Sequence, residues 1–367
     1  MKKVCVVTGS RAEYGLLKPV MEAIQKSEGL RLQLSVAGQH LVPAFGNTIQ
    51  EIRADGFHVD CQNEMTPLGD TTASMGFAVS RGVAGFIGVF QDIHPDIVLI
   101  LGDRTEAFAA AIAAMFCGKV IAHVHGGDKT RAGFDESMRH AITKLAHIHF
   151  AATAKSRGRI LRMGERPEHV HCVGAPGLDD MPAQAFRRGP YAPIVVLFHP
   201  VSTTPAKAGA QMLDVLEAAC SFKRRVVVIG SNNDAGWQAI RDAAERYADR
   251  IQWVRSLPRA DYLATLGSAA VLVGNSSSGI IEGGYFGIPV VNIGGRQAGR
   301  ERAATVIDVC PHTQLIAEGI HLALHNDKFR VGGTSYLYGD GHAALHIVKV
   351  LEDLEITPEL IQKQFVD

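Results

Sequence analysis

The sequence predicts an α/β protein built from two doubly wound parallel-sheet (Rossmann-like) domains that face each other across a cleft. Three observations support this prediction. The chain has 367 residues, which is more than one ordinary core needs and enough for two. Short valine- and isoleucine-rich runs, apolar on both faces, alternate with longer helical patterns, as in a buried parallel sheet. A stretch rich in proline, glycine and charge, Gly174–Pro193, divides the chain near its middle and is typical of an interdomain linker.

The first half of the chain predicts a domain over residues 1–180. Short apolar runs indicate strands at Val4–Val7, Leu32–Val36, Phe57–Val59, Ile97–Leu101, Val120–Val124 and His149–Ala151. Helical periodicity lies between them, for example over Leu16–Ser27 and Glu106–Phe116. Alternation of strands and helices is typical of a doubly wound fold, which binds ligands at the carboxyl ends of its strands.

The second half predicts another such domain over residues 190–345. Its strands are expected at Ile194–Phe198, Val226–Ile229, Ile251–Val254, Val271–Val273, Val290–Ile293 and Val306–Val309. A last helical pattern covers about Gly341–Phe365. We expect residues 346–367 to form a closing helix that packs back on the first domain.

Composition and charge argue against several classes of function. Lysine plus arginine equals aspartate plus glutamate, 37 each, which argues against a nucleic-acid or polybasic membrane role. The six cysteines form no CxxC pair and several lie in apolar runs, which indicates reduced thiols and no zinc cluster. The apolar run after Lys2 and Lys3 is too short for a signal peptide, and no uninterrupted apolar stretch has a membrane span's length. We therefore expect a cytoplasmic protein.

Polar and charged residues follow the predicted strands of the first half. Arg11 lies in a strand–turn–helix junction, where free backbone N–H groups and a guanidinium are suited to binding phosphate. A solvated arginine in a glycine turn is an equal alternative. Asp103 and Arg104 follow the fourth strand. Asp103 is a candidate acid or base and Arg104 a phosphate ligand, with Asp103 as a helix N-cap the alternative.

A second polar cluster follows the fifth strand. It contains His125 and Asp128 next to two glycines, and Asp135 opens the helix that follows. Two histidines at alternate strand positions, His123 and His125, point the same way, but no third ligand is spaced nearby, so no metal site is expected. Helix capping accounts for one acidic residue at this junction, whereas several acidic residues at one junction indicate acid–base chemistry.

The second half carries residues suited to phosphate and ribose. His199 ends the first strand of that half, where a structural histidine is the alternative. Ser276 and Ser277 lie between a strand and a helix, where hydroxyl and N–H groups bind phosphate, while a plain flexible serine loop is the alternative. Glu282 is placed to accept from ribose hydroxyls, and Arg296 adds a cation at the next strand end.

Nine segments in order resemble the hydrolysing UDP-N-acetylglucosamine 2-epimerases of the sialic-acid pathway, over nearly the whole chain. The segments are TGSRAEYG (8–15), FGNTI (45–49), LGDR (101–104), HVHGGDKT (123–130), DESMRHAITK (135–144), FHP (198–200), IGSNNDAG (229–236), GNSSSGIIE (274–282) and IGGRQAGR (293–300). SRAEYGLLK differs from the TRPEAIK-like first motif of the non-hydrolysing branch. One departure is His125, where some relatives carry glutamate.

The resemblance implies a GT-B-like fold and the conversion of UDP-N-acetylglucosamine to free N-acetylmannosamine and UDP, through a 2-acetamidoglucal, for sialic-acid-type sugars of a capsule polysaccharide. It assigns catalysis to Asp103, Asp128, Asp135 and His125, and nucleotide binding to Arg11, Arg104, His199, Ser276, Ser277, Glu282 and Arg296. It implies no metal, no cofactor and a homo-oligomer, either a dimer or a tetramer. The same chemistry on a UDP- or GDP-linked diacetamido-trideoxy sugar of the legionaminic-acid pathway, a GT-B glycosyltransferase and a non-catalytic nucleotide-sugar sensor are the alternatives.

Overall fold

The chain folds around two parallel sheets. The structure is a computed structural model, and it describes residues 1–66, 69–131, 133–182, 188–329 and 336–366. The first sheet has seven strands in the order β3-β2-β1-β4-β5-β6-β7. These strands are β1 (Lys2–Thr8), β2 (Leu30–Ala37), β3 (Cys61–Asn63), β4 (Ile97–Leu101), β5 (Val120–Val124), β6 (Ile148–Ala151) and β7 (Val170–Cys172).

Helices cover both faces of this sheet, because its strands are apolar on both sides. The helices of the first half are α1 (Arg11–Lys26), α2 (Ile49–Ala54), α3 (Thr72–Ile93), α4 (Thr105–Phe116), α5 (Phe134–Leu145) and α6 (Ala154–Arg162). Along β1, Val4 and Val6 pack into a core with α1, whereas Cys5 and Val7 pack into a second core with α3 and α4. The period-two alternation of β1 therefore serves two cores at once.

The second sheet has six parallel strands in the order β10-β9-β8-β11-β12-β13. They are β8 (Ile194–Leu197), β9 (Val226–Ile229), β10 (Gln252–Val254), β11 (Val271–Gly274), β12 (Val290–Ile293) and β13 (Val306–Val309). The helices around it are α7 (Ala208–Cys220), α8 (Trp237–Glu245), α9 (Arg259–Gly267), α10 (Glu282–Phe286) and α11 (Thr313–His325). Both sheets reverse their strand order beside the first strand, β1 or β8, which is where doubly wound folds bind ligands.

The chain ends on the first domain. After α11 come α12 (Ala343–Asp353) and α13 (Pro358–Ile361). Ile347 and Leu351 of α12 are buried in the same core as Leu17 and Val20 of α1. The Asp179 carboxylate accepts from the backbone N–H groups of Ala343 (3.0 Å) and Ala344 (2.6 Å), and this contact ties the start of α12 to the end of the first domain.

Two sequence predictions are wrong. Phe57–Val59 is not a strand, because the ladder with β2 begins at Cys61, directly after Asp60 exchanges hydrogen bonds with Leu34. The final pattern is not one helix, because α12 ends at Asp353 and Thr357 adopts the extended backbone that precedes a proline before α13. The predicted linker contains a helical turn at Pro176–Leu178, and residues 183–187 of that linker lie outside the described residues.

Helix α3 stands apart from the other helices. By length and composition, α3 is apolar enough to cross a membrane, although it contains no uninterrupted apolar stretch of that length. One side of it, which includes Ala78, Gly82, Phe86 and Phe90, is buried in the core shared with α4. That packing attaches one side of α3 to the first domain.

Candidate active site

One cavity of about 800 Å³ lies between the two sheets, at the carboxyl ends of their strands. Ten of the eleven residues singled out from the sequence line it: Arg11, Asp103, Arg104, His125, Asp135, His199, Ser276, Ser277, Glu282 and Arg296. Asp128 is the exception. Side chains from strand ends as far apart in the chain as Arg11 and Arg296 therefore face one shared space, as expected when two doubly wound domains oppose each other.

The junction between β1 and α1 places Arg11 at the cavity. Ser10 caps α1, and its hydroxyl accepts from the Glu13 backbone N–H at 3.4 Å. The Glu13 carboxylate reaches back to the Gly9 N–H at 2.7 Å, which closes a reciprocal cap. Burial lowers the pKa of the Arg11 guanidinium, and its Nε has no hydrogen-bond partner among the described residues. A buried cation with free donors, beside a helix N-terminus, is suited to an anion.

Asp103 is held in its ionised form. Arg139 of α5, which is 1% exposed, donates to the Asp103 carboxylate and, at 2.7 Å, to Glu136. Burial alone would raise the pKa of Asp103, but the adjacent Arg139 guanidinium, together with the charges of Arg300 and Arg296, lowers this pKa below its usual value. The site therefore contains a carboxylate that stays charged at neutral pH.

Asp135 has the opposite character. It lies in the first turn of α5, and burial raises its pKa to about 8, with the negative charges of Asp103 and Asp234 adding to the effect. The nearest cationic group is the Arg296 guanidinium, 3.4 Å away, which only partly offsets these effects. At pH 7 Asp135 is therefore mostly a protonated acid that faces the same cavity as ionised Asp103.

Asp128 lies behind the cavity wall and not in it. Its carboxylate accepts from the Ser156 hydroxyl at 2.7 Å, lies 3.4 Å from His125 Nδ1, and pairs with Arg300 at 3.4 Å. Burial would raise its pKa, but the Arg300 charge lowers it below the usual value. This position does not support the expected direct contact of Asp128 with substrate. His125, which contacts Asp128, does line the cavity.

The wall from the second domain is built mainly of backbone and hydroxyl groups. After β11, Ser276 caps a helical turn, Ser277–Gly279, and accepts from the Ser278 N–H at 3.3 Å. A side chain at Gly274 would overlap the Leu197 carbonyl, so only glycine lets β11 approach β8 this closely before the turn. Arg296 donates to the Asn275 carbonyl at 3.2 Å, which fixes this cation beside the serine turn.

His199 is a neutral donor at this wall. Burial lowers its pKa well below the usual value, and the charges of Arg296 and Arg104 lower it further. Its Nδ1 accepts from the Asn232 backbone N–H at 3.2 Å, so the ring proton lies on Nε2. The backbone of His199 is held at both sides by the Asn275 amide, with two hydrogen bonds of 2.8 Å.

Glu282 lines the cavity, and its carboxylate forms an ion pair with an arginine. Arg259 of α9 donates to its carboxylate at 3.0 Å and also binds the Asp180 carboxylate and the Gly177 carbonyl of the linker region. One oxygen of Glu282 therefore accepts from Arg259, and the residue lines the cavity.

Several contacts join the two walls. Arg296 reaches from the second domain to Asp135, and the Arg131 N–H donates to the Arg296 carbonyl at 3.1 Å. From the first domain, the Asp70 carboxylate accepts from three backbone N–H groups at the start of α8, at 2.6 to 3.1 Å. Both domains therefore contribute to one site.

Comparison with known proteins agrees with this geometry. A profile of the UDP-N-acetylglucosamine 2-epimerases matches residues 22–352. A UDP-N,N'-diacetylbacillosamine 2-epimerase (hydrolyzing) from Legionella pneumophila is 37% identical over 377 residues, 99% of each chain. A UDP-N-acetylglucosamine 2-epimerase from Neisseria meningitidis is 30% identical, over 100% of this chain and 99% of that one.

The chain belongs to the UDP-N-acetylglucosamine 2-epimerase family. The fold agrees, since the crystal structure of a Neisseria meningitidis UDP-GlcNAc 2-epimerase bound to UDP-GlcNAc superposes with a TM-score of 0.79 at 20% identity, covering 95% of this chain and 99% of that one. The GT-B-like architecture predicted from the sequence is therefore confirmed. An epimerase-type enzyme is the activity that this membership supports.

Some residues of this epimerase site were not singled out from the sequence. Arg139, which holds Asp103, and Asp234, which raises the pKa of Asp135, were both inside quoted segments but were given no role. Glu13 has its pKa raised to about 8 by burial and lines the cavity. The Ser10-x-x-Glu13 spacing is the signal that could have located Glu13 as a reciprocal helix cap. Among the described residues, no three metal-ligating side chains cluster.

Proposed function

We propose that the chain is a hydrolysing 2-epimerase of a UDP-linked 2-acetamido sugar, which releases UDP and the free C2-epimerised sugar. The observation that carries this proposal is the pair of carboxyl groups, Asp103 and Asp135, that line one cavity and whose surroundings move their pKa values in opposite directions. Epimerisation needs one group that takes a proton from carbon and another that returns one. Two carboxyl groups whose pKa values are moved apart fit these two tasks at a single pH.

In the first stage the sugar loses its C2 proton to the Asp103 carboxylate. The bond between C1 and the diphosphate oxygen breaks, and its electron pair leaves with UDP. The C2–H electrons form the C1–C2 double bond, which gives a 2-acetamidoglucal. Positive charge develops on the sugar ring, and an ionised carboxylate nearby stabilises it.

In the second stage water and a proton add across that double bond. A proton reaches C2 on the face opposite to the one that lost its proton, and Asp135, whose pKa is raised to about 8 by burial, donates it in this proposal. Hydroxide from water becomes bonded to C1, and the proton left from that water restores Asp135. Asp103 releases to solvent the proton that it took in the first stage, as UDP leaves. The net change is substrate plus water to UDP plus free epimer, and N-acetylmannosamine is the product when the substrate is UDP-N-acetylglucosamine.

Groups from both domains, most of them from the second, bind the part of the substrate that leaves. The serine turn with Ser276 and Ser277, the guanidinium groups of Arg11, Arg104 and Arg296, and the His199 Nε2–H together offer N–H and O–H donors to a diphosphate. Glu282, oriented by Arg259, is proposed to accept from a ribose hydroxyl. Donors preorganised around the leaving group favour the charge it carries in the transition state.

Asp128 is proposed to position His125 and not to touch the sugar. It lies 3.4 Å from His125 Nδ1 and is itself fixed by Ser156 and Arg300. The His125 backbone is left-handed (φ 65°), a conformation that few non-glycine residues adopt, and the contact with Asp128 fixes the position of its ring. This role replaces the direct acid–base role first expected for Asp128.

The sugar itself has two candidates. UDP-N-acetylglucosamine is the substrate expected from the sequence, and a relative named for it shares 30% identity. A UDP-linked 2,4-diacetamido-trideoxy sugar is the second candidate, and the 37% identity with the relative named for UDP-N,N'-diacetylbacillosamine favours it. We propose a cytoplasmic location for either activity, since both use nucleotide sugars.

NMR of reaction mixtures in deuterated water tests the proposal. Each candidate sugar nucleotide is supplied without an acceptor. We expect free C2-epimerised sugar, one equivalent of UDP, and deuterium at C2. Intact sugar nucleotide in the absence of an acceptor would point to a glycosyltransferase or a binding protein instead, and product without deuterium at C2 would exclude the elimination route. The faster of the two substrates identifies the sugar.

A further inference from the structure

A loop of the second domain, residues 295–302, lies against the first domain. Gly299 in this loop has a left-handed backbone (φ 94°), and a Cβ at this position would lie 3.0 Å from Cγ of Lys129, so the position favours glycine. The Thr153 hydroxyl of the first domain donates to the Glu301 carboxylate of the loop. These contacts hold the loop beside the acidic residues that follow β5.

The 295–302 loop presents two arginines, and each contacts one acidic residue of the first domain. Arg296 lies 3.4 Å from Asp135, which lines the cavity. Arg300 lies 3.4 Å from Asp128, and neither of these two is among the described residues that line the cavity. Their side chains are nevertheless only 10% and 2% exposed. A buried ion pair adds little net stability compared with apolar groups, so this pair indicates a role other than stability.

The Asp128 carboxylate is shared between three side chains. Its Oδ1 accepts from the Ser156 hydroxyl at 2.7 Å. Its Oδ2 lies 3.4 Å from Arg300 Nη1 and 3.4 Å from His125 Nδ1. Burial would raise the pKa of Asp128, and the Arg300 charge is the largest of the effects that lower it below its usual value. Arg300 therefore favours the ionised carboxylate, which accepts hydrogen bonds and cannot donate them.

An ionised Asp128 selects one tautomer of His125. A neutral imidazole carries its proton on one ring nitrogen and accepts with the other. Because Asp128 only accepts, the proton lies on Nδ1, and Nε2 remains the acceptor atom of a ring that lines the cavity. We propose that Arg300 of the second domain is a positioning residue that, by pairing with Asp128, holds the His125 ring with its proton on Nδ1. The effect of this pair on a reaction rate rests on the function proposed above.

The arrangement makes His125 dependent on the contact between the domains. His125 and Asp128 belong to the first domain and Arg300 to the second, so the ion pair exists only while the 295–302 loop lies on the first domain. Without Arg300, the buried carboxyl group of Asp128 takes up a proton more readily. A protonated carboxyl group can donate to His125 Nδ1, which moves the ring proton to Nε2.

NMR of the full chain, labelled with ¹⁵N in its histidine rings, tests these contacts without turnover. The spectrum of His125→Gln identifies the His125 signals. We expect a protonated Nδ1 at His125 in the wild-type chain and a protonated Nε2 in Arg300→Met near neutral pH. Arg300→Lys keeps a cation beside Asp128 and should retain the wild-type signals. Identical His125 signals in the wild-type chain and in Arg300→Met would overturn the proposal.

Steady-state kinetics tests the consequence for the reaction. Arg300→Met should lower kcat about 10–100-fold, because a misplaced group in a site costs rates of this order. KM should be nearly unchanged, and Arg300→Lys should restore most of kcat. Lys155→Met is the matched control, since Lys155 pairs with Glu301 of the same loop at 3.6 Å but is 75% exposed. This control should keep the wild-type kcat.

A double variant separates positioning from a general effect of charge. Arg300 also lowers the pKa of Asp103, although less than Arg139 does. If Arg300 acts through Asp128, Arg300→Met should cause no further loss of kcat in an Asp128→Asn background. An equal loss in both backgrounds, or a raised KM with unchanged kcat, would contradict the proposal. A wild-type chain without epimerase activity would instead contradict the proposed function, and the His125 spectrum would still decide whether Arg300 holds that ring.

Discussion

The two walls of the cavity differ in what they offer a ligand. The wall from the first domain carries carboxyl groups whose pKa values are moved in opposite directions, Asp103 downward and Asp135 upward to about 8. The wall from the second domain offers the serine turn, neutral His199 and Arg296, with Glu282 as the carboxylate tied to Arg259. The first wall is suited to moving protons and the second to holding an anion. Changes in the first wall should therefore lower kcat, and changes in phosphate-binding groups should raise KM.

The largest effect is expected for Asp103→Asn. An amide cannot accept the C2 proton, so kcat should fall about 10²–10⁴-fold, the usual contribution of a general acid or base. The rate of UDP release measures this loss, and calorimetry with UDP should show nearly unchanged binding. Asp249→Asn, a carboxylate on the surface, is the control and should keep wild-type turnover. Near-normal turnover of Asp103→Asn with intact UDP binding would remove Asp103 from catalysis.

The acid at Asp135 should give the pH–rate profile a falling limb. A carboxyl group with a pKa of about 8 is protonated below that pH and loses its proton above it. If the protonated form donates to C2, kcat should fall tenfold per pH unit above about pH 8. Asp135→Asn should be slower by about 10²-fold and lack that limb. A wild-type profile that stays flat to pH 10 would argue against a proton donor at Asp135.

Arg11→Ala tests whether a phosphate-binding residue acts mainly on KM. Although Arg11 belongs to the first domain, its role is to bind phosphate, so the expected change is in KM. Loss of charge-assisted hydrogen bonds worth about 1.5–3 kcal/mol should raise KM about 10–100-fold, with kcat within a few-fold of wild type. Steady-state kinetics gives both constants, and exposed Arg31→Ala is the control. A fall in kcat with unchanged KM would place Arg11 in the chemical step.

Ser277→Ala should have the smallest effect. It removes one neutral hydroxyl donor and leaves the backbone N–H groups of the turn in place, so KM should rise by roughly 2–10-fold. Competition by UDP measures the same loss without turnover. The comparison between walls fails if Ser277→Ala lowers kcat as much as Asp103→Asn does.

The sequence predicted the positions of most strands because each is a short apolar run between turn residues. It misplaced β3, since Phe57 and Val59 carry the same apolar pattern but Phe57 packs against Tyr14 and the ladder starts only at Cys61. It also merged α12 and α13, although Pro358 marks the break. These errors lie where tertiary packing competes with a local pattern.

The sequence predicted most of the residues that line the candidate site, but it did not predict the position of each carboxylate in that site. Strand ends of parallel sheets gather at one edge, so ten of the eleven predicted residues line the cavity. Asp128 carries the same sequence signal as Asp135, yet it faces Ser156 and Arg300 behind the wall. Spacing along the chain does not encode which side of a turn a carboxylate faces.

By itself the sequence determined the two α/β domains, the order of most strands and the acidic, basic and hydroxyl residues that end them, because period and turn chemistry are local properties. Only the tertiary structure decided which acid is charged. Protonation depends on burial and on neighbours distant in sequence, such as Arg139 for Asp103 and Asp234 for Asp135, and such neighbours are brought close only when the chain is folded.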